Sequence, residues 1–188
     1  MITVVSGVPR SGTSLMMQML AAGGMELLTD GVRAADEDNL RGYFEWEPVK
    51  RLPRELELIA AAEGKAVKVV SALVWALPAD REYRVIYMER PLEEVAASQA
   101  VMIGRRGAQA PALEGAALIA ALRAHQHQVL AQLGQRAHIA LCLVHYHQLL
   151  ATPREEAQRI RDFLGLPLEV EAMARQVEPS LHRQRRSE

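Results

Sequence analysis

Val4-Val5-Ser6-Gly7-Val8-Pro9-Arg10-Ser11-Gly12-Thr13-Ser14 runs from an apolar, β-branched stretch through two glycines into residues 15–20, an amphipathic segment. That is the pattern of a strand, a tight turn and a helix. Gly7 and Gly12 permit backbone angles that L-residues resist. Successive N–H groups can then curl around an anion, and the helix N-terminus adds its partial positive charge. Ser11, Thr13 and Ser14 add hydroxyl donors, and Arg10 adds a fixed positive charge. A nucleoside triphosphatase carries lysine at the place of Thr13, where it reaches the β- and γ-phosphates. The turn is therefore read as phosphate-binding without the usual ATP machinery.

Outward from this turn, short β-branched runs alternate with longer segments of helical period, which marks βαβ units and a parallel sheet. Strands are expected over residues 2–6, 66–70, 84–88 and 138–144, and helices over 12–22, 52–62, 91–103 and 112–132. Thr152, Pro153 and Glu155 supply an N-cap, a first-turn proline and an N3 glutamate, while Gly165 and Pro167 supply a stop, so residues 153–164 form a helix. Residues 29–42 and 104–111 read as loops, which in α/β proteins carry sites at the carboxyl ends of strands. The fold class is α/β, a P-loop-type three-layer fold with a central parallel sheet flanked by helices. Residues 1–188 are expected to form one domain, with 179–188 a loosely ordered tail.

Composition limits the ligands. The 22 Lys+Arg against 23 Asp+Glu give a formal charge of -1, so no strong overall field favours nucleic acid or an anionic surface. Aromatic residues make up 4% of the chain, too few for a platform that stacks single-stranded bases. The lone Cys142 lies in an apolar run and reads as a small buried hydrophobe. No apolar stretch reaches membrane-spanning length, and a soluble, cytoplasmic protein is expected.

Gly7 to Leu15 resembles the 5′-phosphosulfate loop of the sulfotransferases, enzymes that use 3′-phosphoadenosine 5′-phosphosulfate (PAPS). A second element, Tyr87-Met88-Glu89-Arg90-Pro91-Leu92-Glu93-Glu94-Val95-Ala96-Ala97-Ser98, is similar to the family's strand-to-helix segment whose arginine and serine bind the donor's 3′-phosphate. A third, running from Val144 through Tyr146 to Pro153, with Phe163-Leu164-Gly165-Leu166-Pro167 after it, resembles the family's tyrosine, acidic pair, leucine and proline block. The acidic pair is replaced here by His147 and Gln148. The resemblance implies PAPS as donor, no metal, and donor contacts from Arg10, Ser11, Gly12, Thr13, Ser14, Arg90, Ser98 and Tyr146, the last against adenine. The partners it implies are this nucleotide and a small-molecule, saccharide, lipid or peptide acceptor.

Lys68, Val69 and Val70, followed by Leu77-Pro78, resemble the Lys-x-His segment and Leu-Pro of the cytosolic sulfotransferases. There the histidine is the base; Val70 cannot take a proton, so the base must come from elsewhere. Other branches of the family use a glutamate, and Gly42-Tyr43-Phe44-Glu45 is similar to a segment of bacterial members. Glu45, flanked by Phe44 and Trp46, is the first choice of base and Glu37 the second. Arg10 and Lys68 are the candidate groups on the transferring end. His125 and His127 are two apart in an expected helix and do not share a face. His145 and His147 can share one in a strand, but no carboxylate or cysteine joins them at ligand spacing. The tail arginines Arg183, Arg185 and Arg186 have a second reading as donor contacts, because the family often closes its site with a basic C-terminal segment. The competing functions are a P-loop small-molecule kinase using ATP and magnesium, and a nucleotide-binding module without turnover.

Overall fold

The computed structural model describes residues 1–32, 42–105 and 113–177. Chain order is β1 (Ile2–Gly7), α1 (Thr13–Ala22), β2 (Leu27–Leu28), β3 (Ala66–Lys68), β4 (Tyr83–Glu89), α2 (Leu92–Arg105), α3 (Gly115–Gly134), β5 (Ile139–His145), α4 (Tyr146–Ala151), α5 (Pro153–Leu164) and α6 (Val170–Ala174). Three 3₁₀ segments, Glu47–Arg51, Leu56–Ala62 and Ser71–Ala76, fill the connections around β3.

The five strands form one sheet in the order β2-β3-β1-β4-β5, and every pairing is parallel. All six residues of β1 are buried, because this central strand is covered on both faces. Alternation along the strands divides the core in two. Val5, Ile86, Met88 and Val144 pack against Met16 and Leu20 of α1, Ile160 of α5 and Met173 of α6. Val4, Val67, Val85 and Tyr87 pack against Val129 and Leu133 of α3 and against Ile59 and Val74 of the 3₁₀ segments. The result is a three-layer α/β fold. The chain moves from β1 out to β2 and back to β3 on one side, then crosses to β4 and β5 on the other. The carboxyl end of β1 lies at that reversal, where open α/β sheets hold their ligands.

Several expectations need correction. Residues 52–62 are not an α-helix: Leu52 closes one 3₁₀ segment, and Pro53, which has no N–H to donate, separates it from Leu56–Ala62. Strand β3 stops at Lys68 rather than Val70, because the chain turns into the 3₁₀ segment Ser71–Ala76. Helix α2 continues to Arg105 and α3 begins at Gly115. Thr152 does precede α5, but its hydroxyl turns back to the Gln148 carbonyl (3.3 Å) instead of capping α5, sharing that acceptor at the end of α4 with its own backbone N–H (2.8 Å). Gly165 ends α5 at φ 61, the left-handed stop expected of it. Glu37, Arg183, Arg185 and Arg186, and most of both expected loops, lie outside the described residues.

Candidate active site

Between β1 and α1 the turn follows the geometry its sequence dictates. Gly12 stands at the N-cap of α1 with φ 104. A Cβ there would lie 2.7 Å from Tyr146 Cδ2, so both the backbone angle and the tyrosine ring exclude any larger residue. Gly7 is hemmed in similarly by the Met88 carbonyl, 2.8 Å from its Cβ position. Arg10 adopts φ 79, a left-handed conformation that a non-glycine residue holds only at a cost of about 1–3 kcal/mol. Such strain persists where surrounding contacts over-determine it, and here they do. Arg10 Nε donates to Ser98 Oγ (2.9 Å), its carbonyl receives Arg90 Nη1 (3.4 Å), and the neighbouring Pro9 carbonyl receives Gln99 Nε2 (3.0 Å).

Arg90 opens the β4-to-α2 connection in a mostly buried setting. Its Nε donates to Glu94 Oε2 (2.9 Å), and its Cζ lies 4.7 Å from the Tyr146 ring centroid, a cation–π contact. Burial pushes the Tyr146 phenol up, against the opposing pull of Arg90. Glu94 is 5% exposed and shares its other oxygen with His147 Nε2 at 3.0 Å. Arg10, the pair Arg90 and Ser98, and Tyr146, drawn from three separate parts of the chain, thus meet around one turn.

On the other side of β1, Lys68 is 8% exposed at the end of β3. Its Nζ donates to the Tyr43 carbonyl (2.6 Å) and Ser14 Oγ (2.9 Å), tying the segment before Glu45 to the start of α1. Glu45 is anchored through its backbone: its carbonyl accepts from Thr29 Oγ1 (3.0 Å) and from the Asp30 amide (3.2 Å). Phe44 takes φ 51, a second left-handed non-glycine position, directly before this glutamate. Lys68 therefore borders the turn through Ser14, and Glu45 follows two residues after the Tyr43 carbonyl that Lys68 holds.

Several polar groups escaped the sequence reading. Ser71 Oγ and His125 Nε2 lie 2.8 Å apart, joining the segment after Val70 to α3. One step along α3, Gln126 donates to Glu89 at the end of β4 (2.6 Å), and Glu89 also meets His145 Nδ1 at 3.2 Å. These two contacts tie α3 to the segment that follows β3 and to the end of β4. His145 and His147 do not share a strand face: β5 ends at His145 and α4 begins at Tyr146, so each histidine meets a different carboxylate. The signal available in sequence was the Glu93-Glu94 pair in the first turn of α2, without any indication of which cation it faces. Among the described residues no group of three His, Cys, Asp or Glu side chains is arranged to hold a metal.

The turn fits a phosphate-bearing ligand on two structural counts. Gly7 and Gly12 let the turn close on Met88 and Tyr146 where a Cβ would collide, so that its backbone N–H groups can curl around an anion. Ser11 Oγ is fully buried within the turn and has no hydrogen-bond partner in the structure, a donor that an anion's oxygen satisfies.

A parallel three-layer sheet with a glycine-rich turn at the carboxyl end of its central strand defines an α/β protein of the class that holds ligands at that edge. The chain belongs to the sulfotransferase domain family, whose match extends over residues 2–187. No curated protein matches it. Family membership makes the chain a transferase for sulfuryl groups. Among the described residues no helix is long and apolar enough to cross a membrane.

Proposed function

We propose that this protein moves a sulfuryl group from PAPS to an acceptor hydroxyl or amine by in-line displacement. The observation that carries the reading is the Arg10–Ser98 hydrogen bond beside Arg90, because it joins the anion-binding turn and the arginine–serine pair into one basic surface. When bound, PAPS supplies an activated sulfuryl group whose leaving group is the 5′-phosphate of adenosine 3′,5′-bisphosphate (PAP).

The turn amides, with Ser11, Gly12, Thr13 and Ser14, hold the 5′-phosphate at the N-terminus of α1. Arg90 and Ser98 hold the 3′-phosphate, and the Tyr146 ring lies against adenine. In the displacement the acceptor's oxygen or nitrogen forms a bond to sulfur. The bond from sulfur to the bridging oxygen breaks, and its electron pair stays on the 5′-phosphate. Arg10 stabilises that growing negative charge, and Lys68, beside Ser14, neutralises the peripheral oxygens. The acceptor's proton goes to Glu45, whose backbone carbonyl is anchored on Thr29. We place the reaction in the cytoplasm, where the buried single thiol of Cys142 suits a reducing environment.

The test is transfer of sulfate label from PAPS to a panel of phenols, alcohols, amino sugars and tyrosyl peptides. Label appearing on an acceptor with matching release of PAP supports the reading. Transfer of the γ-phosphate of ATP in a magnesium-dependent reaction, with none from PAPS, overturns it.

A further inference from the structure

We infer that His147 is a positioning residue for the donor's 3′-phosphate, acting through Glu94 on Arg90. The inference rests on the donor assignment made above for Arg90 and Ser98. Glu94 stands between two nitrogen donors, with Oε2 on Arg90 Nε at 2.9 Å and Oε1 on His147 Nε2 at 3.0 Å. It is 5% exposed, whereas the His147 side chain is 48% exposed, so His147 is the member of the trio that exchanges protons readily with solvent.

The consequence is electrostatic. With a neutral His147, the Glu94 charge cancels that of Arg90 where a phosphate dianion must settle. With a protonated His147, the carboxylate is matched from its far side and the trio as a whole is positive. The block around Tyr146 resembles one that carries an acidic residue at position 147, so a histidine there replaces a negative group with one that can become positive. Histidine changes charge between pH 5 and 8, and the coupling is reciprocal: what favours the bound 3′-phosphate also favours the His147 proton.

Other charged groups lie on the neighbouring elements, and on α2 itself Glu93 is met by Arg123 of α3 at 3.7 Å. The turn supplies Arg10, whose carbonyl meets Arg90. Strands β4 and β5 supply Glu89 and His145, which are paired with each other. Helix α5 supplies Glu156, which reaches α4 through Gln148 and is paired with Arg159. Within α4, the buried Tyr146 phenol is pushed up and stays neutral over this range.

The experiment measures PAP and 5′-AMP affinity by calorimetry at pH 6 and pH 8 for the parent, His147→Gln and His147→Lys. His147 is half exposed, so both variants should keep the fold, which a thermal melt verifies. The phosphate's own second ionisation near pH 6 acts on all three proteins alike, so differences between them isolate position 147. The preference for PAP over 5′-AMP should rise from pH 8 to pH 6 by roughly two- to fivefold more in the parent than in His147→Gln. His147→Lys should hold the higher preference at both pH values. A His147→Gln profile that follows the parent's, or a His147→Lys protein no better than His147→Gln at pH 8, overturns the inference while the donor assignment stands. If none of the three proteins prefers PAP over 5′-AMP at either pH, the donor assignment fails and takes this inference with it.

Discussion

Arg10 Nε and Ser98 Oγ lie 2.9 Å apart, joining the glycine-rich turn to α2 across 88 positions of sequence. The serine that the resemblance assigns to one end of the donor is thus in direct contact with the arginine assigned to the other. Arg10→Ala should lower turnover more than PAP affinity, since negative charge on the leaving phosphate grows toward the transition state. Ser98→Ala should show the opposite balance, lowering PAP affinity while 5′-AMP affinity is kept. Steady-state kinetics with calorimetry on each variant separates the two; an Arg10→Ala enzyme with full turnover removes Arg10 from the reaction.

Gly12→Ala tests the turn. The new Cβ meets Tyr146 at 2.7 Å and the φ of 104 is unfavourable to alanine. A loss of about 1–3 kcal/mol in denaturant titration is expected, together with loss of PAP binding. Unchanged PAP affinity would place the nucleotide elsewhere.

The proton's destination is tested at Glu45. A positioned base typically contributes about 10²- to 10⁴-fold. Glu45→Gln, which keeps shape and removes basicity, should depress turnover in that range with PAP affinity unchanged. A parent-like Glu45→Gln enzyme beside an inactive Glu37→Gln enzyme would move the base earlier in the same acidic segment.

Much of this arrangement is legible in the sequence, and the exceptions have physical causes. Strands β1, β4 and β5 are long and largely apolar, the first two mostly buried and β5 buried on alternate residues, and they fall within a residue or two of their expected positions. Strand β2 escapes because Leu27–Leu28 is too short to show a period. Helix α4 escapes because it begins at Tyr146, directly after the last residue of β5, with no glycine or proline to mark the change. Residues 52–62 carry a helical spacing of apolar side chains, but Pro53 interrupts it locally. At the site, the two glycines were sufficient to expect the turn's backbone, and both take positive φ. The partner of Ser98 was not to be expected: about 12 Å of helix separates it from Arg90, and only the return of the chain through β4 brings α2 back to Arg10. The Glu94–His147 pair is likewise a product of topology, since β5 must lie beside β4 before α4 can face α2.

Tyr87 yields a prediction on pH. Its hydroxyl lies buried beneath the turn into Ser71–Ala76, and desolvation pushes it up to about 12, with Ser71 opposing. The folded state therefore favours the neutral phenol more than the unfolded state does. That stabilising difference is fully present below the ordinary tyrosine value of about 10 and is lost as pH rises toward 12. Stability measured by denaturant titration should fall between pH 10 and 12, and Tyr87→Phe should reduce the slope. An unchanged slope in Tyr87→Phe would assign the loss to other groups, with Tyr83, also pushed to about 12 by burial, first among them.

The most direct test of the account is a calorimetric comparison of PAP, 5′-AMP and ATP with magnesium against the parent protein. PAP should bind more tightly than 5′-AMP by roughly tenfold or more, since a charge-assisted phosphate contact contributes about 1.5–3 kcal/mol, and a chelator should leave that affinity intact. Equal affinity for PAP and 5′-AMP, or binding of ATP that exceeds PAP and vanishes with magnesium, would contradict it.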